Sequence, residues 1–188
     1  MVHTLSALQI QLACKYLEQG KLIAYPTESV WGIGCDPDNS DAVMGILAIK
    51  RRPVEKGLIL VIADVSQISP LFSLLHSEQQ EQITDDRVEA ITWLIPDPEN
   101  LIPSWIKGDH QAVAVRVSKH PTVQALCRVF GKPIVSTSAN YSGKAAIRSR
   151  LKLFNEFAGK IDFVVPGALG SQATPSQIRD LLTGEIIR

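Results

Sequence analysis

Cysteine is scarce in this chain: Cys14, Cys35 and Cys127, with no C-x-x-C pair. An odd count without paired spacing argues against a disulfide framework and a thiolate metal site, and reads as three buried apolar residues. His3, His76, His110 and His120 make neither an H-E-x-x-H nor an H-x-H pattern, so they read as surface or capping residues and no metal site is assigned. Neither G-x-G-x-x-G nor G-x-x-x-x-G-K-[ST] occurs, which removes the Rossmann and Walker phosphate loops. Aromatic residues are only 6%, too few for a single-strand nucleic-acid binder built on stacking. Neither sign of charge is in excess, with 19 Lys plus Arg against 19 Asp plus Glu, so any polyanion must be held by a local cluster. No window approaches the roughly 18 to 20 apolar residues of a membrane helix. The start, Met1-Val2-His3-Thr4, shows no basic region followed by an apolar one. A cytoplasmic protein with no membrane partner is expected.

What is present suits one compact domain. The 188 residues are 45% hydrophobic and 20% charged, and no Gly/Ser/Pro-rich linker or internal repeat divides residues 1–188. Leu5, Leu8, Leu12, Tyr16 and Leu17 recur at helical spacing after Thr4 as a cap, until Gly20. Leu22 to Tyr25 is a short strand broken at Pro26, followed by a segment with Gly32 and Gly34. Val43, Ile46, Leu47 and Ile49 form the stripe of a helix from near Ser40 that ends before Pro53. Leu58 to Ala63 reads as a strand, Leu71 to Leu75 as a helix, and Ser77 to Arg87 as a polar helix. Strands follow at Ala90 to Pro96 and Ala112 to Val117. Pro121 opens a helix that Gly131 closes, and Pro133 to Thr137 is a further strand. Leu151, Phe154 and Phe157 mark a helix, Phe163 to Val165 a strand, and Gln177 to Arg188 a hairpin turning at Thr183-Gly184. Alternating strands and helices, with several strands apolar on both faces, predict a single α/β domain with a mixed sheet.

Some segments carry chemistry. Tyr25-Pro26-Thr27-Glu28-Ser29-Val30-Trp31-Gly32-Ile33-Gly34 puts hydroxyls, a carboxylate and glycines directly after a strand, where α/β proteins place ligands, although an ordinary turn has the same composition. Lys50, Arg51, Arg52 and Lys56 gather at a helix end with Glu55 the single acid among them. Cations there complement the helix dipole, but four exceed what a helix end requires and suit a polyphosphate or carboxylate. Arg116 sits inside an apolar strand, where a guanidinium must meet either a ligand anion or an internal Asp or Glu. Ser136-Thr137-Ser138-Ala139-Asn140-x-Ser142-Gly143 follows a buried strand and offers a row of donors, suited to phosphate or an adenine edge, or else to water.

Together these stretches resemble the YrdC-like threonylcarbamoyl-AMP synthases, in the short single-domain bacterial form called TsaC. The matching signatures are Ala24-Tyr25-Pro26-Thr27-Glu28 with Gly32-x-Gly34, Lys50-x-Arg52-Pro53 with Lys56-Gly57-Leu58-Ile59-Leu60, Ala114-Val115-Arg116-Val117, Ser136-Thr137-Ser138-Ala139-Asn140-x-Ser142-Gly143, and Pro175-Ser176-x-Ile178. They stand in family order from residue 22 to the C-terminus. The resemblance implies a twisted, mixed parallel and antiparallel sheet flanked by helices around a concave basic cavity. It implies formation of L-threonylcarbamoyl-AMP and pyrophosphate from L-threonine, bicarbonate and ATP, and hand-over of the product to a tRNA threonylcarbamoyl-transferase complex. Mg²⁺ is expected with ATP, held mainly by phosphate oxygens.

Carried over residue by residue, Lys50 and Arg52 are the catalytic cations facing the phosphates and the carbamate. Lys56, Ser138, Asn140 and the terminal Arg188 join them around ATP. Arg116 reads the threonine carboxylate, with Thr27, Ser29, Ser136 and Ser176 at the threonine end. Arg179, on a strand, points away from Ser176 and is left out. The chain departs from the family pattern in places. Arg87-Val88-Glu89-Ala90 stands where Trp-Pro-Gly-Pro is usual, which leaves the role of Thr92 open. Ser29 replaces threonine, Ala145-Ala146 follows where a proline is usual, and the second domain of longer members is not expected. An RNA-binding module using the basic cavity, with weak RNA contact and no adenylyl transfer, is the alternative. A serine hydrolase lacks the G-x-S-x-G elbow and a nearby histidine.

Overall fold

Strand and helix alternate as the apolar spacing switches between periods of two and of three to four residues. The computed structural model describes residues 6–85, 91–172, 174 and 176–187. Helix α1 (Ala7–Glu18) begins at Ser6, not Thr4, because Ser6 and Gln9 form a reciprocal capping box. Its buried stripe is Ile10, Ala13, Cys14 and Leu17, whereas Leu8 and Leu12 are 73% and 42% exposed. Both stripes have helical spacing; the small Ala13 and Cys14 let the helix lie close to its neighbours.

Strand β1 (Ile23–Pro26) pairs antiparallel with β2 (Trp31–Gly34), where the sequence reading had no strand. The glycines of β2 serve close approach. A Cβ on Gly34 would meet the Val135 carbonyl oxygen at 2.3 Å and the Tyr25 ring at 2.8 Å. Helix α2 (Ser40–Lys50) is capped by Asn39 and ends at Arg51, whose φ of 52° is left-handed. Strand β3 (Ile59–Ile62) is followed by the short α3 (Ser69–Phe72) and by α4 (Ser77–Thr84), which stops before the expected Arg87. Then come β4 (Thr92–Pro96), α5 (Ser104–Lys107), β5 (Ala112–Val117), α6 (Pro121–Phe130) and β6 (Ile134–Ser138). Last are α7 (Arg150–Phe157), β7 (Phe163–Val164) and β8 (Ile178–Asp180), with β8 turning back so that Arg179 bridges Ile186. On α7 the residues buried are Leu153 and Phe157; Leu151 and Phe154 face outward. The single-turn α5 is too short to leave a periodic stripe.

The strands form one mixed sheet in the order β7-β1-β2-β6-β3-β5-β4-β8. Pairs β7/β1, β3/β5 and β4/β8 are parallel, and β1/β2, β2/β6, β3/β6 and β4/β5 antiparallel. Because neighbours on a strand face opposite sides, the sheet feeds two cores. Leu60, Ile62, Val113, Val115 and Val135 pack on the side of α2, while Ile23, Tyr25, Val61 and Ile134 pack under α1 and α6. The histidines described follow the capping expectation in part, with His120 accepting from Thr122 N at the start of α6 and His110 exposed. The three cysteines are free and buried. Among the described residues no helix is long and apolar enough to cross a membrane.

Candidate functional site

Helices α1 and α6 cover only part of their face of the sheet. Backbone pairing carries that face onward from Gly32 to Ser138, and from Ser136 through Ile59 and Ala114 to Leu94. These residues line a cavity of about 640 Å³. The next row, Ile134, Val61, Arg116, Thr92 and Ile178, marks where the covered face gives way to the open one. Arg116 therefore stands at the edge of the core with its head toward the cavity.

The loop after β1 supplies Thr27 and Ser29 to the wall. Thr27 is held by its hydroxyl, which donates to the Val30 carbonyl at 2.7 Å. Glu28 turns the other way, accepting from the Ser118 hydroxyl at 2.5 Å and from the backbone N–H of Lys119 and His120. Burial pushes its carboxyl up, but the Ser118 hydroxyl, backbone donors and the Arg116 charge outweigh this and hold it below the usual carboxylate range. Glu28 is thus an internal carboxylate close enough to feel the Arg116 charge, while it accepts hydrogen bonds from Ser118, Lys119 and His120.

Helix α2 delivers the cations. Its left-handed end at Arg51 turns the chain so that Lys50 and Arg52 both line the cavity, while Arg51 lies over the Tyr141 ring at 5.9 Å. Lys50 is 3% exposed. Its Nζ donates to the Ser138 carbonyl, the Asn140 carbonyl and Asn140 Oδ1, at 2.5, 2.8 and 3.2 Å. Burial, and then the neighbouring Arg52 charge, pull the ammonium down to about 8. Lys50 thereby ties α2 to the loop after β6, where Ser138 Oγ donates to Asn140 Oδ1 at 2.6 Å.

Arg52 is aimed by backbone. Its Nε and Nη2 reach the Gly57 carbonyl at 3.1 and 2.9 Å, and Nη2 the Lys56 carbonyl at 3.0 Å. Gly57 has a φ of 58° and leaves no room for a side chain, since a Cβ would lie 2.9 Å from the Lys107 carbonyl oxygen. Lys107 itself, a wall residue absent from the sequence reading, pairs with the fully buried Asp97 at 2.9 Å. Nothing in its spacing signals it, because α5 is a single turn. Lys56 and Ser136 complete the expected wall, and His110 lies beside Lys107.

Of the remaining expected residues, Ser176 is not in the wall. It lies two hydrogen bonds behind Arg116, with Thr92 between: Arg116 Nε donates to Thr92 Oγ1 at 2.9 Å, and Thr92 Oγ1 is 2.9 Å from Ser176 Oγ. Arg188 and the Arg87 to Ala90 loop lie outside the described residues, as does Pro175. Among the described residues the wall carries Lys50, Arg52, Lys56, Lys107 and Arg116 and no carboxylate. Among the described residues no group of three or more His, Cys, Asp or Glu could hold a metal. A divalent cation would find no protein cage here, and the site suits an anionic ligand that brings its own counter-ion.

A hollow walled by cations on a mixed α/β sheet, entered by the loops after β1, α2 and β6, defines the class. Residues 15–188 match the Sua5, YciO and YrdC family model, described as "Telomere recombination", and the chain belongs to that family. It is 47% identical over 184 residues to a threonylcarbamoyl-AMP synthase of Pseudomonas aeruginosa (strain UCBPP-PA14), covering 98% of each chain. A protein of the same name from Cellvibrio japonicus is 44% identical over 180 residues, 96% of this chain and 95% of that one. Among solved structures, P. abyssi Sua5 complexed with L-threonine superposes with a TM-score of 0.86 at 30% identity, over 96% of this chain and 53% of that chain. The chain thus spans about half the length of Sua5. E. coli YciO shares the fold, with a TM-score of 0.83 at 22% identity over 97% of this chain and 89% of that one.

Proposed function

We propose that the protein is a threonylcarbamoyl-AMP synthase, a nucleotidyltransferase making L-threonylcarbamoyl-AMP and pyrophosphate from L-threonine, bicarbonate and ATP. The observation that carries this reading is a cavity walled by Lys50, Arg52, Lys56 and Arg116, with no carboxylate among the described wall residues, in a chain 47% identical over 98% of its length to a synthase of that name. Its volume of about 640 Å³ is that of a site for small ligands.

The chemistry asks little covalent work of the protein. The threonine amine and bicarbonate condense to a carbamate with loss of water. A carbamate oxygen then forms a bond to the α-phosphorus of ATP as the bond to the pyrophosphate oxygen breaks. Both carbamate and mixed anhydride are labile, so positioning, charge neutralisation and exclusion of water dominate. Lys50 and Arg52 are the catalytic cations of this reading, and Lys56, Ser138, Asn140 and Arg188 complete the ATP end. With its Nζ engaged by the Ser138 and Asn140 acceptors, Lys50 acts through its charge and through the loop it holds. Arg116 receives the threonine carboxylate as a two-pronged donor, with Thr27, Ser29, Ser136 and Ser176 around the same end. Mg²⁺ arrives on the triphosphate oxygens. Residues 1–188 work as one YrdC-like domain in the cytoplasm, and the product passes to a tRNA threonylcarbamoyl-transferase complex.

The test is to mix the protein with threonine, bicarbonate, Mg²⁺ and ATP and to measure pyrophosphate. Release that requires both threonine and bicarbonate is expected. Salt-sensitive RNA binding with no such release would overturn the reading in favour of the RNA-binding module.

A further inference from the structure

Thr92 is a fully buried hydroxyl to which the sequence assigns no role. Its place in the sheet is central: its register partners are Arg116 on β5 and Ile178 on β8, and its N–H donates to the Gln177 carbonyl at 2.9 Å. It is therefore the residue at which the arginine strand and the C-terminal segment meet. A hydroxyl has one proton to give and two lone pairs. Arg116 Nε–H takes one lone pair at 2.9 Å, and Ser176 Oγ, also at 2.9 Å, shares a hydrogen bond with Thr92 in which either hydroxyl can donate.

We infer that Thr92 is a positioning residue, whose hydroxyl fixes the Nε edge of Arg116 and ties it to Ser176 on the C-terminal segment. The inference rests on the threonine-end reading above and extends it to a residue that does not line the cavity. A bidentate contact tolerates little rotation of the guanidinium, so holding one edge sets the direction of the others.

The experiment compares Thr92→Val, which keeps shape and loses the hydroxyl, with Thr92→Ser, which keeps the hydroxyl, using Arg116→Ala as reference in the pyrophosphate assay. Thr92→Val is expected to raise the threonine KM about tenfold or more, the factor for one lost hydrogen bond to a charged group, with the ATP KM little changed. Thr92→Ser is expected to restore threonine use. In ¹⁵N NMR the Arg116 Nε–H should be protected from exchange in wild type and in Thr92→Ser, and lose protection in Thr92→Val. Should Thr92→Val fold poorly, Ser176→Ala probes the same bridge from its half-buried end and should also raise the threonine KM selectively. An unchanged threonine KM in Thr92→Val while Arg116→Ala raises it overturns the positioning role alone. An unchanged threonine KM in Arg116→Ala overturns the threonine-end reading, and the role with it. Equal rises in both KM values, with Arg116 Nε–H protection retained, would mark Thr92 as structural only and overturn the inference.

Discussion

Replacing Lys50 with methionine keeps the apolar stem and removes the one titrating group of the α2 end that is buried. Lys50 is 3% exposed, and burial pulls its ammonium from the ordinary 10.5 to about 8. At about 1.4 kcal/mol per pKa unit, the folded site disfavours the charged form by about 3 kcal/mol relative to the unfolded chain. The sign follows from proton counting. Between about 8 and 10.5 the unfolded chain binds more protons at this lysine than the folded one, so folding stability rises with pH across that window and is flat below it. From pH 7 to pH 9.5 the gain from this group is about 2 kcal/mol by the same linkage. Urea unfolding of wild type and Lys50→Met at both pH values measures it, since every other group titrates alike in the two proteins. Wild type should gain about 2 kcal/mol more than Lys50→Met on going to pH 9.5. Parallel responses would refute the reasoning, because they would mean that the ammonium is hydrated and not committed to Ser138 and Asn140.

Arg52→Ala should lower turnover by at least about a hundredfold with unfolding still cooperative, because it removes a wall cation from over developing phosphate charge; retained activity in the pyrophosphate assay would place the charge elsewhere. Asp97→Asn leaves the buried Lys107 ammonium without its carboxylate partner and should cost about 3 kcal/mol or more in urea unfolding, a loss below about 1 kcal/mol meaning that water replaces the partner. Gly57→Ala drives a methyl group against the Lys107 carbonyl at a φ of 58° and should cost about 1–3 kcal/mol. The same change shifts the carbonyl that aims Arg52, so the ATP KM should rise with it; a stable variant with normal ATP use would show that Arg52 is aimed by other means.

Much of the fold was legible because its signals are local. Strand β5 begins and ends where the apolar run does, and α6 where Pro121 and Gly131 punctuate it. Local signals also failed in a consistent way. On α1 and α7 the residues with the strongest apolar signal, Leu8, Leu151 and Phe154, face outward. Periodicity identifies a helix but does not say which of two stripes its neighbours will cover. Strand β2 was hidden because its glycines are there for the Tyr25 ring and the Val135 backbone, partners that adjoin only after folding. Lys107 and Thr92 were illegible as site components for the same reason, being defined by Asp97 on one side and by Arg116 and Ser176 on the other.

The sequence by itself determined the inventory: an α/β order of elements, cations clustered at the end of one helix, an arginine in an apolar strand, hydroxyl-rich loops after buried strands, and a family resemblance borne by those stretches. Only the tertiary structure decided that Lys50 holds the Ser138 to Asn140 loop, that Arg52 is aimed by the Gly57 carbonyl, and that Ser176 reaches Arg116 through Thr92. The physical reason is that residue types and spacing encode what a segment can offer. Which donor meets which acceptor depends on strand register and helix closure across as many as 90 residues of chain, and those come into being only when the sheet assembles.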